Sequence, residues 1–529
     1  MNVFTQSIRF WETLHHLTNK EGMRLVHLNE QEEVAWIEDD RREPYHLIRL
    51  SRKNYDWSNE LKGDIHKAFD QANKVRKRLG LRQANISNII LSYNVPVDDF
   101  EQLTSQPLPL TSGGKKQFRT ILIPLEELKH KIFPLATEWQ LQDMPPYMDE
   151  AYIESSEQED HIISTLKTAV KKSIKQREEK EKNLLLYGKA RLTFLLLGTI
   201  ILFYAWIEMN GSSMNTLDLV RFGAKFDPFI LAGEWWRFIS AMFIHIGIVH
   251  LMMNSLALFY LGSAVEKIFG TKRFFVIYFL AGLLGSIASF VFNDNVSAGA
   301  SGAIFGCFGA LLYFGLIHKR LFFRTMGMNV IVILAINLSF GFIVPMVDNG
   351  AHIGGLIGGF AASAIVGLPG QTERTIKLPA FLVTALSMVI LLWVGFSQSG
   401  YSEQTALVYY QMAVEAIEEE AFDEAHGYLT EFLKGEDYIT QERLAVDGRF
   451  LLSYVQIRQG DLVEAEANLI YVVNEVPDFH EAHYYLAHIY FDQGEYNRAF
   501  ESAREALEAA PENDDYQQLY SEMEKYKGD

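Results

Sequence analysis

The sequence predicts a multi-domain protein: an α-helical polytopic membrane core, a small mixed α/β domain before it and an α-helical repeat domain after it. Three observations carry this. Mean hydropathy over the 529 residues is zero, yet seven long apolar runs are packed between Arg191 and Phe396. The region before them mixes β-rich and helical patterns, and the region after them repeats with a period of 34 residues. A chain that is 49% hydrophobic and 22% charged is not a disordered one. A single cysteine, Cys307, excludes a disulfide framework and a cysteine-based zinc site.

Residues 1–182 form the first region. Apolar β-rich runs at Arg24–Leu28, Glu33–Ile37, Tyr45–Leu50, Ile86–Val95 and Arg119–Ile123 alternate with helical patterns near Leu61–Leu79 and Asp160–Lys182. The stretch KTAVKKSIKQREEKEKN reads as a charged stem helix leading to the first apolar run. The opening MNVFTQSIRFWETLHH lacks the basic-then-apolar order of a signal peptide.

The apolar runs, within residues 191–397, are Leu192–Met209, Ile246–Ser263, Phe274–Phe292, Ser301–Ile317, Met328–Val347, Gly350–Leu368 and Pro379–Phe396. At ~1.5 Å per helical residue each is expected to cross a hydrocarbon core of ~30 Å. Lys and Arg gather before the first run and in alternate connections, at Lys267, Lys272 and Arg273, at Lys319, Arg320 and Arg324, and at Arg374 and Lys377. The positive-inside rule then places the N-terminus in the cytoplasm and, after seven spans, the C-terminus outside the cell membrane. The connection from Asn210 to His245 is expected outside despite Arg221, Lys225 and Arg237, and its Trp235 and Trp236 suit the membrane interface.

In residues 401–529, Leu452, Gly460, Ala465 and Pro477 recur as Leu486, Gly494, Ala499 and Pro511, with a looser copy around Ala421–Glu431. A 34-residue period with Gly at a helix–turn–helix corner is the tetratricopeptide pattern, whose helix pairs bury their faces only by stacking. Such arrays hold a peptide or protein partner. This region carries 29 acidic and 8 basic residues, a net −21 against −18 for the whole chain. An acidic module repels polyanions, so no nucleic acid is expected as a partner.

Polar groups inside spans are costly and mark function. His250 and Asn254 lie one turn apart on the second span, Ser301 opens the fourth in GASG, and His352 opens the sixth in GAHIGG. Spans two, four and six run in the same direction, so the four residues share one shallow level on the outer side. Gly302–Gly306, Gly354–Gly358 and Gly355–Gly359 are small residues at the spacing that lets membrane helices approach closely. This constellation suits a Ser301 nucleophile with His352 as general base, a dyad with no orienting carboxylate. His250, Asn254 and the Ser301 N–H would stabilise the oxyanion, and Gly299 would allow close approach of a substrate.

Taken in order, WR (Trp236, Arg237), His245, His250 and Asn254 in H-x4-H-x3-N, GASG (Gly299–Gly302) and AHxxGxxxG (Ala351–Gly359) resemble the rhomboid family of intramembrane serine proteases. The flanking domains are similar to those of the GluP-type rhomboids of Gram-positive bacteria. The resemblance implies a six-helix rhomboid core plus a seventh helix and a serine endopeptidase. Its substrates would be transmembrane proteins of the lipid bilayer, cut near the outer end of a span. It assigns Ser301 and His352 as the catalytic dyad, His250 and Asn254 to the oxyanion hole, Trp236 and Arg237 to shaping the external loop, and Gly299 and His245 to support. Glu266 matches a structural carboxylate. Phe305 stands where a tyrosine often stacks on the catalytic histidine, so stacking is kept and a hydroxyl lost.

No cofactor is implied, and no metal, since no Asp, Glu or Cys accompanies the span histidines. His480, His483 and His488 read as repeat residues, because the second follows the first by three positions and not the four of a metalloprotease helix. His15, His16 and Asp39–Asp40 have no fixing spacing. The alternative function is a catalytically silent relative that binds membrane proteins for quality control. Such a protein usually lacks the serine or the histidine, and this chain keeps both.

Overall fold

The computed structural model describes residues 5–43, 45–81, 84–110, 116–148, 156–344, 346–370, 375–398, 401–440 and 442–526. Arg374, counted above among the loop charges, lies outside them. Contacts divide the chain into two units, Met1–Leu186 with His318–Gly327, and Tyr187–Ile317 with Met328–Asp529.

The first unit is built on a six-stranded sheet. Its strands are β1 (Arg24–Asn29), β2 (Val34–Asp39), β3 (His46–Arg52), β4 (Asn85–Ser92), β5 (Leu108–Pro109) and β6 (Gln117–Pro124), ordered β1-β2-β3-β4-β6-β5. Pairs β3–β4 and β4–β6 are parallel, and the others antiparallel. β4 is buried from Ile86 to Ser92, as a central strand covered on both faces must be. One face carries α1 (Thr5–His15), α3 (Leu128–Glu138) and α4 (Ser156–Leu185) around Phe10, Trp11, Ile48 and Ile89. The other carries α2 (Ser58–Arg78) around Leu61, Ile65, Leu47 and Ile90. Helices α1 and α3 were not expected from the sequence. α1 is buried almost throughout, Arg9 and Glu12 included, so it shows no clean polar face. α3 contains Pro134, a residue that reads as a helix breaker.

Several buried charges in this unit are paired. Fully buried Glu38 takes Arg24 at 3.1 Å and Arg320, on the short helix Lys319–Thr325, at 2.5 Å. Arg324 binds Glu181 at 2.5 Å and Lys319 binds Glu43 at 2.9 Å. Asp39 is taken by Arg41, Asp40 by Arg177, and His16 Nε2 lies 2.9 Å from the Asp143 carbonyl. These are structural partnerships.

The second unit contains α5 (Leu192–Asn210), α6 (Gly247–Phe269), α7 (Thr271–Phe292), α8 (Ser301–Ile317), α9 (Gly327–Ile343), α10 (Asn349–Val366) and α11 (Lys377–Phe396). Five of these, α5, α6, α7, α10 and α11, are long and apolar enough to cross a membrane. α9 qualifies only when counted together with Lys319–Thr325, and α8 is a shorter apolar helix of 17 residues. At ~1.5 Å per residue, α8 spans about 25 Å, a little less than a hydrocarbon core. The seven spans expected from hydropathy are thus unequal. The fourth run, Ser301–Ile317, is recovered with the same bounds, and its 17 residues are what make it short.

Glycine sets the packing of α10. A Cβ at Gly355 would overlap the carbonyl oxygen of Gly302, and one at Gly359 that of Gly306, both on α8. A Cβ at Gly354 would overlap the Ala288 side chain, and one at Gly358 would come 3.0 Å from Leu284, both on α7. The two glycine pairs therefore serve two different neighbours, and α10 is wedged between α7 and α8 at backbone distance. At the other end of the unit, fully buried Glu266 accepts hydrogen bonds from Leu192 N (2.9 Å), Thr193 N (2.8 Å), Thr193 Oγ1 (2.7 Å) and Thr271 Oγ1 (2.7 Å). It caps the N-terminus of α5 from a neighbouring helix.

The C-terminal helices are α12 (Glu403–Glu418), α13 (Phe422–Lys434), α14 (Glu442–Gln459), α15 (Leu462–Glu475), α16 (His480–Asp492), α17 (Tyr496–Ala509) and α18 (Asp514–Met523). Gly460 and Gly494 turn consecutive pairs at φ +93° and +78°. In the first pair Glu420 occupies that corner at +58°, which explains why the copy there reads as loose. His480 bonds Tyr516 at 2.9 Å and His483 the Pro477 carbonyl at 2.9 Å, so both serve the stack.

Two tests follow from this packing. Gly355→Val is expected to destabilise the protein by roughly 1–3 kcal/mol, because backbone cannot yield to the new side chain. Gly427→Ala, whose Cβ meets nothing within 4 Å, is not. Thermal unfolding in detergent micelles measures both. In the first unit, burial holds His46 down at about 4 from an ordinary 6.5. A histidine kept neutral in the fold costs stability as soon as the unfolded chain can protonate it. The unit should therefore weaken progressively as pH falls from 6.5 to 4. His46→Gln should flatten that dependence in acid-unfolding curves.

Candidate active site

Ser301 is the first residue of α8, so its N–H has no intrahelical acceptor. The loop that delivers it is held from three sides. Gly299 N donates to the Ala241 carbonyl at 2.9 Å, Ala300 N to His245 Nε2 at 3.4 Å, and Ile304 N closes the helix on the Ala300 carbonyl at 3.0 Å. His245 is fully buried and acts on the loop backbone. Gly299 sits at φ +145°, and a Cβ there would come 2.8 Å from Cε1 and 3.1 Å from Nε2 of His250. A side chain at position 299 would run into the His250 ring, which, with the positive φ, calls for glycine here.

His250 accepts a hydrogen bond at Nδ1 from Ile246 N (3.4 Å), which leaves its proton on Nε2, the atom beside Gly299. Asn254, one turn on, spends one amide N–H on the His250 carbonyl at 3.1 Å and keeps the other. His352 lies on α10 with its ring stacked on Phe305 of α8, centroids 4.1 Å apart and planes 13° apart. Gly302 and Ala351, the immediate neighbours of Ser301 and His352, are in contact: a Cβ on Gly302 would lie 3.3 Å from the Ala351 carbonyl oxygen. Among the described residues Ser301 and His352 share no direct hydrogen bond, and His352 Nδ1 is buried without a partner. No carboxylate reaches that nitrogen.

The loop between α5 and α6 folds over itself. Arg237, 3% exposed, donates to the Val220 carbonyl at 2.6 Å, the Ala224 carbonyl at 3.0 Å and Glu234 at 2.7 Å. It also stacks on Trp236 (4.7 Å) and Phe229 (4.9 Å). Trp235 and Trp236 stay more than half exposed. Lys225, 1% exposed, pairs with Asp227 at 2.9 Å and donates to the Asn293 and Asn295 carbonyls. Burial pushes the Asp227 carboxyl up, against the pull of Lys225. Arg221 pairs with Glu415 of α12. All three basic residues that defied the charge rule in this loop are committed to partners.

Two features escape the sequence reading. Asp348 caps α10, accepting from Ala351 N at 2.8 Å, and also binds Ser289 and Ser297. An Asp three residues before the first buried turn is the signal that could have found it. The repeats also seat on the loops beside the site. Leu217, Val220 and Phe226 pack with Ala406, Val408 and Tyr409, Val296 N donates to Gln404 Oε1 at 3.0 Å, and Ser402 Oγ donates to the Asp294 carbonyl at 3.2 Å. No local pattern in the sequence encodes that docking.

The sequence is similar to those of known proteins. Residues 232–369 match the family model of the rhomboid domain, and residues 456–523 that of a tetratricopeptide repeat. The chain is 36% identical over 499 residues to rhomboid protease GluP of Bacillus subtilis (strain 168), covering 93% of each chain. It is 39% identical over 155 residues to RHOMBOID-like protein 5 of Arabidopsis thaliana, 28% of this chain and 49% of that one. With polar residues of α6, α8 and α10 gathered at one loop, and a relative matched along nearly its whole length, the chain belongs to the rhomboid family of intramembrane serine proteases.

Proposed function

We propose that Ser301 is the nucleophile and His352 the general base of this protease, which cuts membrane-anchored proteins near the outer end of a transmembrane segment. The observation that carries the reading is the Phe305–His352 stack beside the Gly302–Ala351 contact, which sets imidazole and hydroxyl on adjoining first turns. In acylation, the Ser301 O–H proton passes to His352 Nε2 while Oγ bonds the scissile carbonyl carbon. The oxyanion is met by His250 Nε2–H, Asn254 Nδ2–H and Ser301 N–H. His352 then returns the proton to the amine nitrogen as the C–N bond breaks, and the same base activates water to release the acyl group. Resting enzymes often hold such pairs too loosely to bond, and they tighten on substrate. The free Nδ1 of His352 supports a dyad.

Residues 1–182 would be a cytoplasmic domain, residues 191–397 the protease core and residues 401–529 an extracytoplasmic repeat domain that holds a peptide or protein partner. Docking of α12 on the loops flanking Ser301 supports placing the repeats on the side where substrates are cut.

Ser301→Ala and His352→Ala should each lower cleavage of a co-expressed transmembrane substrate at least ~1,000-fold with insertion intact, and Ser301→Ala should abolish fluorophosphonate labelling. His250→Ala should cost roughly 100-fold. Normal cleavage by Ser301→Ala removes the serine mechanism. For orientation, Gly427→Cys should react with an impermeant maleimide on intact cells, against a silent background because Cys307, the single cysteine, is buried. Protection of that thiol places the repeats inside.

A further inference from the structure

We propose that Asp348 is a positioning residue for His352, tying the helix of the base to the loop of the nucleophile and favouring the imidazolium formed during the reaction. The proposal rests on the Ser301–His352 reading. One carboxylate joins three segments. Oδ1 accepts from Ala351 N at 2.8 Å, within the first turn of α10, while Oδ2 accepts from Ser297 Oγ at 2.7 Å and from Ser289 Oγ. Its own carbonyl accepts His352 N at 3.1 Å. Ser289 is buried in the last turn of α7. Ser297 stands four residues before Ser301 and is bridged to Lys225 by backbone bonds of 2.8 and 3.1 Å. Any shift of α10 relative to the Ser301 loop must therefore break a charge-assisted hydrogen bond.

The carboxylate cannot act as a triad member, since its oxygens are occupied and His352 Nδ1 is unpartnered. It acts from one helical turn away. The charged or titratable side chains that bear on His352 are Asp348 on its own helix and His250 from α6, while α8 presents the Phe305 ring. Among the described residues only Asp348 is negative there, and a negative charge at that range, shielded from bulk water, favours the protonated base.

The test uses the full-length protein in liposomes with a fluorogenic transmembrane substrate. Asp348→Asn keeps an acceptor for Ala351 N and a partner for the serines while removing the charge. It is expected to lower kcat roughly 10-fold with KM changed less than about threefold, and to move the acid limb of the kcat profile to lower pH by about one unit. Asp348→Ala should lose more. Ser297→Ala, which leaves the cap intact, should lower kcat several-fold and provides the readout if Asp348→Ala does not fold. Wild-type kcat and an unmoved acid limb in Asp348→Asn overturn the proposal, as does a loss that follows unfolding with the acid limb in place. Fluorophosphonate labelling separates the two readings. A wild-type protein labelled at Ser301 beside an unaffected Asp348→Asn refutes only the role of Asp348, whereas an unlabelled wild type refutes the dyad itself.

Discussion

The approach of α10 to α7 and α8 at backbone distance is the constraint on which the rest of the unit depends. Lipid offers no hydrophobic drive to bring helices together, so close van der Waals contact must supply the association. Gly355 and Gly359 meet carbonyl oxygens of Gly302 and Gly306, while Gly354 and Gly358 accept Ala288 and Leu284. A single methyl group on that seam would move α10 outward and carry His352 away from the turn that begins at Ser301. The glycine stripes are thus as much a part of the site as the polar side chains they bring together.

Around that seam, polar groups fix what apolar packing leaves free. His245 holds the Ala300 backbone, Asp348 bridges the cap of α10 to Ser297, and Lys225 fastens the long loop to the carbonyls of Asn293 and Asn295. Each is a buried or half-buried group anchored by hydrogen bonds, as a low-dielectric setting favours. The repeats then rest on the same loops through α12.

Much of this was legible without coordinates, and the reasons are local. The spans appear because apolar residues run uninterrupted. The repeat corners appear because Gly460 and Gly494 take positive φ. The polar residues on spans two, four and six stand out because such groups are rare in an apolar helix. Other features stayed hidden because they depend on partners distant in sequence. Lys225 and Arg237 look like exposed loop charges until their acceptors are seen. Nothing in the sequence tells that the His250 ring lies against Gly299. Helix α1 buries charged Arg9 and Glu12 against each other, which erases the face that a pattern reading needs.

By itself, then, the sequence determined the membrane core, the order of its domains and the residue types at the site, because hydropathy, periodicity and spacing are properties of neighbouring residues. Only the tertiary structure decided which glycine pair faces which helix, that Asp348 joins the first turn of α10 to the loop before Ser301, and that the repeats dock on neighbouring loops. Those outcomes rest on contacts between segments tens to hundreds of residues apart, and such contacts are set by shape complementarity after the elements have formed.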